Sequence, residues 1–313
     1  MHVYVVGRVL ATIPVMLLVA LVVFLLLHLG PGDPAAILAG DFASEADIAR
    51  IRETLGLDRP LYIQFVDWIW RVLQGDLGRS VYSNLPVTRL ILQRLEPTVA
   101  LATTTILLAV LVAVPLGVLA AWRAGTWIDR TVMALAVLGF SLPIFVLGYS
   151  LIYVGAMRTG LFPVYGYVSF REGLRPFLAH LTLPSLALGL IYMALIARMT
   201  RATMLEVLSE DYIRTAHAKG LPTTRILWRH ALKNAAVPIV TTIGIGIALL
   251  IGGVVITETV FAIPGLGRLT VDAVVRNDYP VIQGVILVFS FTYVILNLIV
   301  DLSYVLFDPR IRY

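Results

Sequence analysis

The chain has 313 residues, of which 59% are hydrophobic and only 14% charged, and its mean hydropathy is +0.91. Soluble domains carry about 25% charged residues and about 45–50% apolar ones, so this balance excludes an ordinary soluble enzyme, a disordered chain and a typical nucleic-acid binder. The formal net charge is +5 and there is no cysteine, which excludes disulfides, a thiolate nucleophile and Cys-ligated zinc.

Six stretches lack Asp, Glu, Lys and Arg altogether: 9–29, 98–122, 131–157, 181–197, 234–257 and 279–300. Crossing about 30 Å of hydrocarbon takes roughly 20 helical residues. Five of the stretches meet that length, and the short fourth one borrows His180 and Arg198 at its ends. Backbone groups in lipid must bond internally, so each span is expected to be a helix. A secretory signal has an apolar core of about 7–15 residues. The first stretch is longer and runs to His28, ahead of Gly30-Pro31-Gly32-Asp33-Pro34, so a retained membrane anchor is expected.

Lys and Arg set the orientation. With the N-terminus inside, twelve fall on the inner side: Arg8, Arg123, Arg130, seven within 198–233, Arg310 and Arg312. Five fall on the short outer loops: Arg158, Arg171, Arg175, Arg268 and Arg276. The N-in, C-in topology is therefore expected.

The 30–97 segment reads as a small external helical segment between the first span (1–29) and a transmembrane core at 98–313. Ser44 and Asp47 form a capping-box pattern, with Ile48, Ile51 and Leu55 on one face and Gly56 as a stop. Pro60 opens a second helix with Phe65, Trp68, Ile69 and Val72 on its apolar side, ending near Gly75. Thr88 to Glu96 reads as a third short helix leading into Pro97. These helices either lie on the bilayer interface or form part of a docking surface for an external partner. Proline at 14, 115, 143, 184 and 238 predicts kinks. Gly244, Gly246, Gly252 and Gly253 predict close helix packing in the fifth span. Thr103, Thr104 and Thr105 either line a pore or bond their own helix carbonyls.

The loop 198–233 is the longest inner one, and its pattern is helical. Ser209 is expected to cap a helix with Glu210 and Asp211 in its first turn and Lys219 in its last, and Gly220 to stop it. Leu221-Pro222 blocks continuation, and Thr223 or Thr224 caps the next helix. The short helix is expected to expose Ala216 and Ala218 beside Tyr212, Ile213 and Arg214. A small, mixed face of this kind either enters a groove on another protein or is simply solvated.

In the outer loop 258–281, Pro264-Gly265-Leu266-Gly267 suggests a tight turn within a re-entrant hairpin. With Glu258 and Phe261 these residues are a candidate outer gate, whose mouth Glu258, Asp272 and Asp278 would make acidic. A plain packed turn is the alternative. Ser290, Tyr293, Asn297 and Asp301 step by three, four and four along the sixth span and share one face. Asp301 there is either pore-facing or an interhelical hydrogen-bond group near the inner surface. The only lysines are Lys219 and Lys233, and neither sits in a Walker A loop. The five His include no HExxH pair.

The stretch Asp211-Tyr-Ile-Arg-Thr-Ala-His-Ala-Lys-Gly-Leu221, followed by Arg229-His-Ala-Leu-Lys-Asn234, resembles the EAA loop of bacterial ABC-importer permeases. More narrowly it resembles the dipeptide/oligopeptide/nickel branch. Further matches are GPGDPA (30–35), LGLDRPL (55–61), GDLGRS (75–80), LPSL (183–186), VFAIPGLGRL (260–269), DYPVIQ (278–283) and DPRIRY (308–313). Their order is similar to that of the B-type subunit. In the general pattern Glu-Ala-Ala falls on Arg214, Thr215 and Ala216, and the loop glycine on Gly220. The later Ile-x-Leu-Pro falls on His230, Ala231, Leu232 and Lys233, departures that fit the peptide branch.

The resemblance implies an all-α, six-span ABC type I importer permease fold. It also implies a coupling helix at Asp211, Tyr212, Ile213, Arg214, Thr215, Ala216, His217, Ala218, Lys219 and Gly220, with His230 nearby, seated in a cleft of a cytoplasmic ATPase subunit. The implied partners are a second homologous permease, two such ATPases and an external substrate-binding protein, in a bacterial inner membrane. ATP and Mg would be bound by the ATPases, with no catalytic residue, metal or cofactor in this chain. The substrate class it implies is peptides or relatives such as glutathione, nickel chelates or opines.

Overall fold

The computed structural model describes residues 2–29, 35–36 and 43–307. Within them the structure is helical. The elements are α1 (His2–Leu29), α2 (Glu45–Leu55), α3 (Leu61–Leu73), α4 (Val87–Trp122), α5 (Trp127–Ser141) and α6 (Ile144–Leu151, continued by a π-helical turn, Ile152–Arg158). They continue with α7 (Leu174–Leu208), α8 (Asp211–Ala218), α9 (Ala236–Val260), α10 (Leu266–Val275) and α11 (Tyr279–Phe307). The motif at 308–313, most of that at 30–35, and Arg310 and Arg312 lie outside the described residues.

Among the described residues, five helices are long and apolar enough to cross a membrane: Leu10–Leu29 of α1, then α4, α7, α9 and Tyr279–Val300 of α11. The third expected span is not one rod. It is the pair α5 and α6–Arg158, bent by 104°. The cause is Leu142-Pro143. A residue before proline is pushed out of the helical region, and Leu142 sits at φ −92°, ψ 130°. The other prolines act differently. Pro14, Pro115 and Pro184 lie inside continuous helices, and Pro238 falls in the first turn of α9, where its missing N–H costs nothing. Pro97 does not separate a third external helix from the second span either. α4 runs through it unbroken, held by buried Val87 and Ile91 before it and buried Leu101 after it.

The chain divides into two compact units. One comprises Pro97–Ile263 and the part of α11 from Leu296 onward. Its core joins α4, α6, α7 and α9 through Leu101, Ala109, Ile152, Leu181, Leu188, Ile196, Leu250 and Val254. Glycines let these helices meet. A Cβ on Gly117 of α4 would lie 2.8 Å from the carbonyl oxygen of Ala197, and one on Gly253 would lie 2.6 Å from Leu188 Cδ1. Of the four glycines expected to permit close packing in α9, Gly244 and Gly253 sit at such contacts, while Gly252 faces open space.

The other unit comprises His2–Glu96 and Pro264–Ile295. Val87 and Ile91 of α4 pack on Leu266, Leu269 and Ala273 of α10 and on Val281 and Val285 of α11. Phe65, Trp68, Ile69 and Val72 of α3 pack on Ala20, Val23 and Leu287. The expected capping box is present: Ser44 Oγ accepts from Asp47 N, and the Asp47 carboxylate accepts from Ser44 N. Gly56 ends α2 at φ +64°.

Candidate functional site

The loop between α7 and α9 is built on an extension of α7. That helix is 35 residues long and continues past the apolar stretch 181–197 through Arg198 and Arg201 to Leu208. Ser209 is not the N-cap of the next helix. It ends α7, donating its hydroxyl to the Glu206 carbonyl at 2.7 Å. Glu210 takes the N-cap place, with extended backbone (φ −71°, ψ 147°) and no side-chain capping bond. Asp211 is the acid in the first turn of α8.

The stop is as expected. Lys219 is the C-cap, Gly220 adopts φ +76°, and the N–H groups of Gly220 and Leu221 return to the carbonyls of His217 and Ala216. This is the left-handed closure that glycine adopts at least cost. Pro222, rather than Thr223 or Thr224, is the N-cap of the following run. That run passes from Thr223–Arg225 through a π-helical turn, Ile226–Ala231, to Leu232–Asn234.

α8 is seated on its own chain. Ile213 is 2% exposed and Ala216 7%. They join Val118 and Ala121 of α4, Met204 of α7, Ile226, Leu227 and Ala231 of the π-containing run, and Ile239 of α9. Ala216 and Ile213 are therefore not on the outward face. The spacing of three places both on the inner stripe, and Ala216 is small enough to bring the helix close. The outward residues are Asp211, Tyr212, Arg214, Thr215, His217, Ala218, Lys219 and Gly220. Beside them Arg225, Trp228 and Arg229 are exposed and His230 is half-buried, so the outward surface is mixed and mainly basic.

Side-chain bonds stiffen this surface. Asn234 Nδ2 donates to the Tyr212 hydroxyl at 2.7 Å, joining α8 to the end of the next run. Thr215 Oγ1 donates to the Asp211 carbonyl, and His217 Nδ1 faces the Ile213 carbonyl at 3.0 Å. The Arg214–Asp211 pair at 3.1 Å is largely exposed and contributes little. A stronger contact lies at the base of the α7 extension. Arg201 donates from Nε and Nη2 to the two oxygens of Asp129, which is 4% exposed and also accepts from Gly125 N at 3.0 Å. Charge tallies read Arg201 only as a positive residue on one side of the membrane. The signal that could have pointed to its partner is the only acid of α5, in the first turn of a helix that is apolar beyond Thr131 up to Phe140.

The candidate outer gate comes out differently from its expected acidic mouth. Glu258 is fully buried and accepts from Thr98 Oγ1. Asp278 is 4% exposed and accepts from Ser80 Oγ and Val81 N. Two of the three acids are thus committed to hydrogen bonds inside the protein, because a buried carboxylate without partners is far costlier than one that is bonded. Phe261 is buried, and its carbonyl accepts from Gly166 N. Within 258–267 the left-handed residue is Ala262 (φ +51°). Pro264 is exposed, Gly265 is the N-cap of α10, and Leu266 and Gly267 are buried in its first turn.

Ser290, Tyr293, Asn297 and Asp301 all fall on the continuous helix α11, and their spacing keeps one face. Ser290 and Asn297 are half-buried and Tyr293 is exposed, while the side chain of Asp301 lies outside the described residues. Of the three threonines of α4, Thr104 bonds the Ala100 and Leu101 carbonyls and also Ser185 Oγ, joining α4 to α7. Thr103 is exposed, and Thr105 is buried.

The family described as "Binding-protein-dependent transport system inner membrane component" matches residues 113–313. A companion family describing the N-terminal part of such components matches residues 1–102. A probable peptide ABC transporter permease of Sinorhizobium fredii (strain NBRC 101917 / NGR234) is 54% identical over 313 residues, covering 100% of both chains. A glutathione transport system permease of Salmonella typhi is 45% identical over 310 residues, covering 99% of both. Among solved structures, a chain of the inward-facing MetNI methionine ABC transporter superposes with a TM-score of 0.58 at 20% identity. The match covers 70% of this chain and 96% of that one.

Proposed function

The chain belongs to the family of binding-protein-dependent transport system inner membrane components, and from that premise we propose that it carries peptides or glutathione-like substrates inward, driven through α8. It is the permease subunit of an ABC importer, a multi-pass protein of the inner membrane and not itself the ATPase. The peptide class rests on the peptide and glutathione transport for which its near-full-length relatives are named.

The proposed arrangement has six spans, the bent α5–α6 pair counting as one, with both termini inside. A second permease completes the pore, two ATPases bind ATP and Mg below it, and an external binding protein delivers substrate. α8 is the element the ATPases push. Residues 258–267 form a packed element near the outer end rather than an acidic funnel. The polar face at Ser290, Tyr293, Asn297 and Asp301 is a candidate lining of the path.

One observation carries the coupling reading: α8 buries Ile213 and Ala216 in its own chain while leaving Tyr212, Arg214, Thr215, His217 and Ala218 outward. A lever must be anchored on one side and open on the other, since only contacts that differ between two states transmit free energy. The absence of native cysteine makes the test clean. Ala218→Cys in the assembled transporter should cross-link to an ATPase subunit carrying a cysteine in its docking cleft, and the yield should change with ATP. Ala216→Cys should not react. No cross-link from any outward position of α8 would overturn the assignment.

A further inference from the structure

α3 is apolar on more of its circumference than its packing uses. At about 100° per residue, its side chains fall into three sectors. The first holds Phe65, Trp68, Ile69 and Val72, which pack on α1 and α11. The second holds Tyr62, Val66, Trp70 and Leu73, which are 71%, 61%, 62% and 74% exposed. The third holds Gln64, Asp67 and Arg71, which line a cavity of about 570 Å³ with Arg50, Asp76 and Arg79. Asp67 and Arg71, both exposed, make this the polar side of α3, and the exposed aromatic and aliphatic stripe points elsewhere.

The depth of α3 is fixed by its contacts with α1. Phe24 meets Phe65 and Trp68 at centroid distances of 5.4 and 5.7 Å, and His28 Nε2 meets Gln64 Oε1 at 3.1 Å. These α1 residues belong to the last turns of the membrane-spanning run Leu10–Leu29. Val22 (53%) and Leu26 (37%) of the same run are exposed as well. The α3 stripe therefore lies level with the end of a membrane-spanning helix. Tyr and Trp concentrate at that boundary, where an apolar ring sits among acyl chains and a polar tip stays wet.

We propose that α3 is an interfacial helix, its Tyr62–Val66–Trp70–Leu73 stripe embedded in the outer leaflet at the level where α1 leaves the hydrocarbon. The segment after the first span is then partly a membrane element, and its polar sector alone is turned to water.

The test uses the complete transporter, with both permeases, the ATPases and the binding protein, in vesicles of phosphatidylethanolamine and phosphatidylglycerol. Single spin-labelled cysteines replace Val66, Leu73 and, as the control, Asp67. Val66 and Leu73 are exposed, so labels there leave the packing intact. The expected result is high oxygen and low nickel-chelate collision rates at Val66 and Leu73, with the ratio reversed at Asp67. High nickel accessibility at Val66 and Leu73 overturns the proposal. So does low accessibility to both reagents at these positions, because that signature means a protein partner covers the stripe.

Discussion

Replacing Arg201 with Ala leaves a carboxylate that is 4% exposed with a single neutral donor, Gly125 N at 3.0 Å. In the native protein both Asp129 oxygens receive guanidinium hydrogens, at 2.5 and 2.7 Å. Removing one member of a buried pair costs about 3–5 kcal/mol. The Arg201 side chain is 29% exposed, so part of the pair is already hydrated and the lower end, about 3 kcal/mol, is expected. Asp129→Ala should cost less, about 1–2 kcal/mol, because the freed guanidinium can turn to water. The double variant should be more stable than the sum of the single losses predicts, by at least about 1 kcal/mol. Reversible denaturation of the purified transporter in mixed micelles measures all three. Additive losses would show that the two side chains do not act as a pair, and the argument that they brace the end of α7 would fail.

Three further outcomes are expected. Gly220 sits at φ +76° with nothing within 4 Å of an added Cβ, so Gly220→Val should cost only the backbone term of about 1–2 kcal/mol and lower transport per ATP hydrolysed. Gly220→Asn should retain much of the coupling, and wild-type coupling in the Val variant would remove the turn from the mechanism. Gly117→Ala places a methyl 2.8 Å from the Ala197 carbonyl oxygen and should destabilise, by about 1–3 kcal/mol for overpacking. Gly252→Ala meets no atom within 4 Å and should stabilise by up to about 1 kcal/mol through helix propensity, so equal denaturation midpoints for the two variants would contradict the packing. Hydrogen bonds from Ser44 hold the Asp47 carboxyl below its ordinary value. Its contribution is therefore complete above the unfolded value and lost as pH falls through the lower folded one. Hydrogen-exchange protection at the amides of Asp47 and Ile48 should drop in that acid window in the wild type but not in Ser44→Ala, and protection independent of pH would refute the cap.

Local signals were legible where one segment decides the outcome by itself. Charge-free runs marked the membrane helices, because a single charge at the bilayer centre is costly wherever it occurs. The Ser44–Asp47 box and the stops at Gly56 and Gly220 are short-range geometry, fixed by residues within a few positions. Ser209 misled because a serine hydroxyl has two local choices. It can cap the helix ahead or bond the carbonyl behind, and here the Glu206 carbonyl won. Pro143 and Pro97 are the same residue with opposite outcomes. Pro97 is buried with buried turns on both sides, whereas Pro143 follows the exposed Phe140, Ser141 and Leu142, where no packing opposes the shift of Leu142 to extended backbone.

Long-range pairs were not legible, and they decide how the candidate site works. Asp129 and Arg201 are 72 residues apart, Thr98 and Glu258 are 160 apart, and Ser80 and Asp278 are 198 apart. Periodicity carries no information at such separations. It treats Glu258 and Asp278 as acids of an outer loop, when each is buried against a hydroxyl. The consequence is largest for α8. Composition leaves it a short mixed helix, equally compatible with hanging free. The structure ties it down through Ile213 and Ala216 to helices α4, α7 and α9, through Tyr212 to Asn234, and indirectly through the braced end of α7. A force on Ala218 or Arg214 cannot be absorbed by bending one loop. It must displace the packed ends of three helices together, because close-packed interiors shift between discrete arrangements rather than deform smoothly.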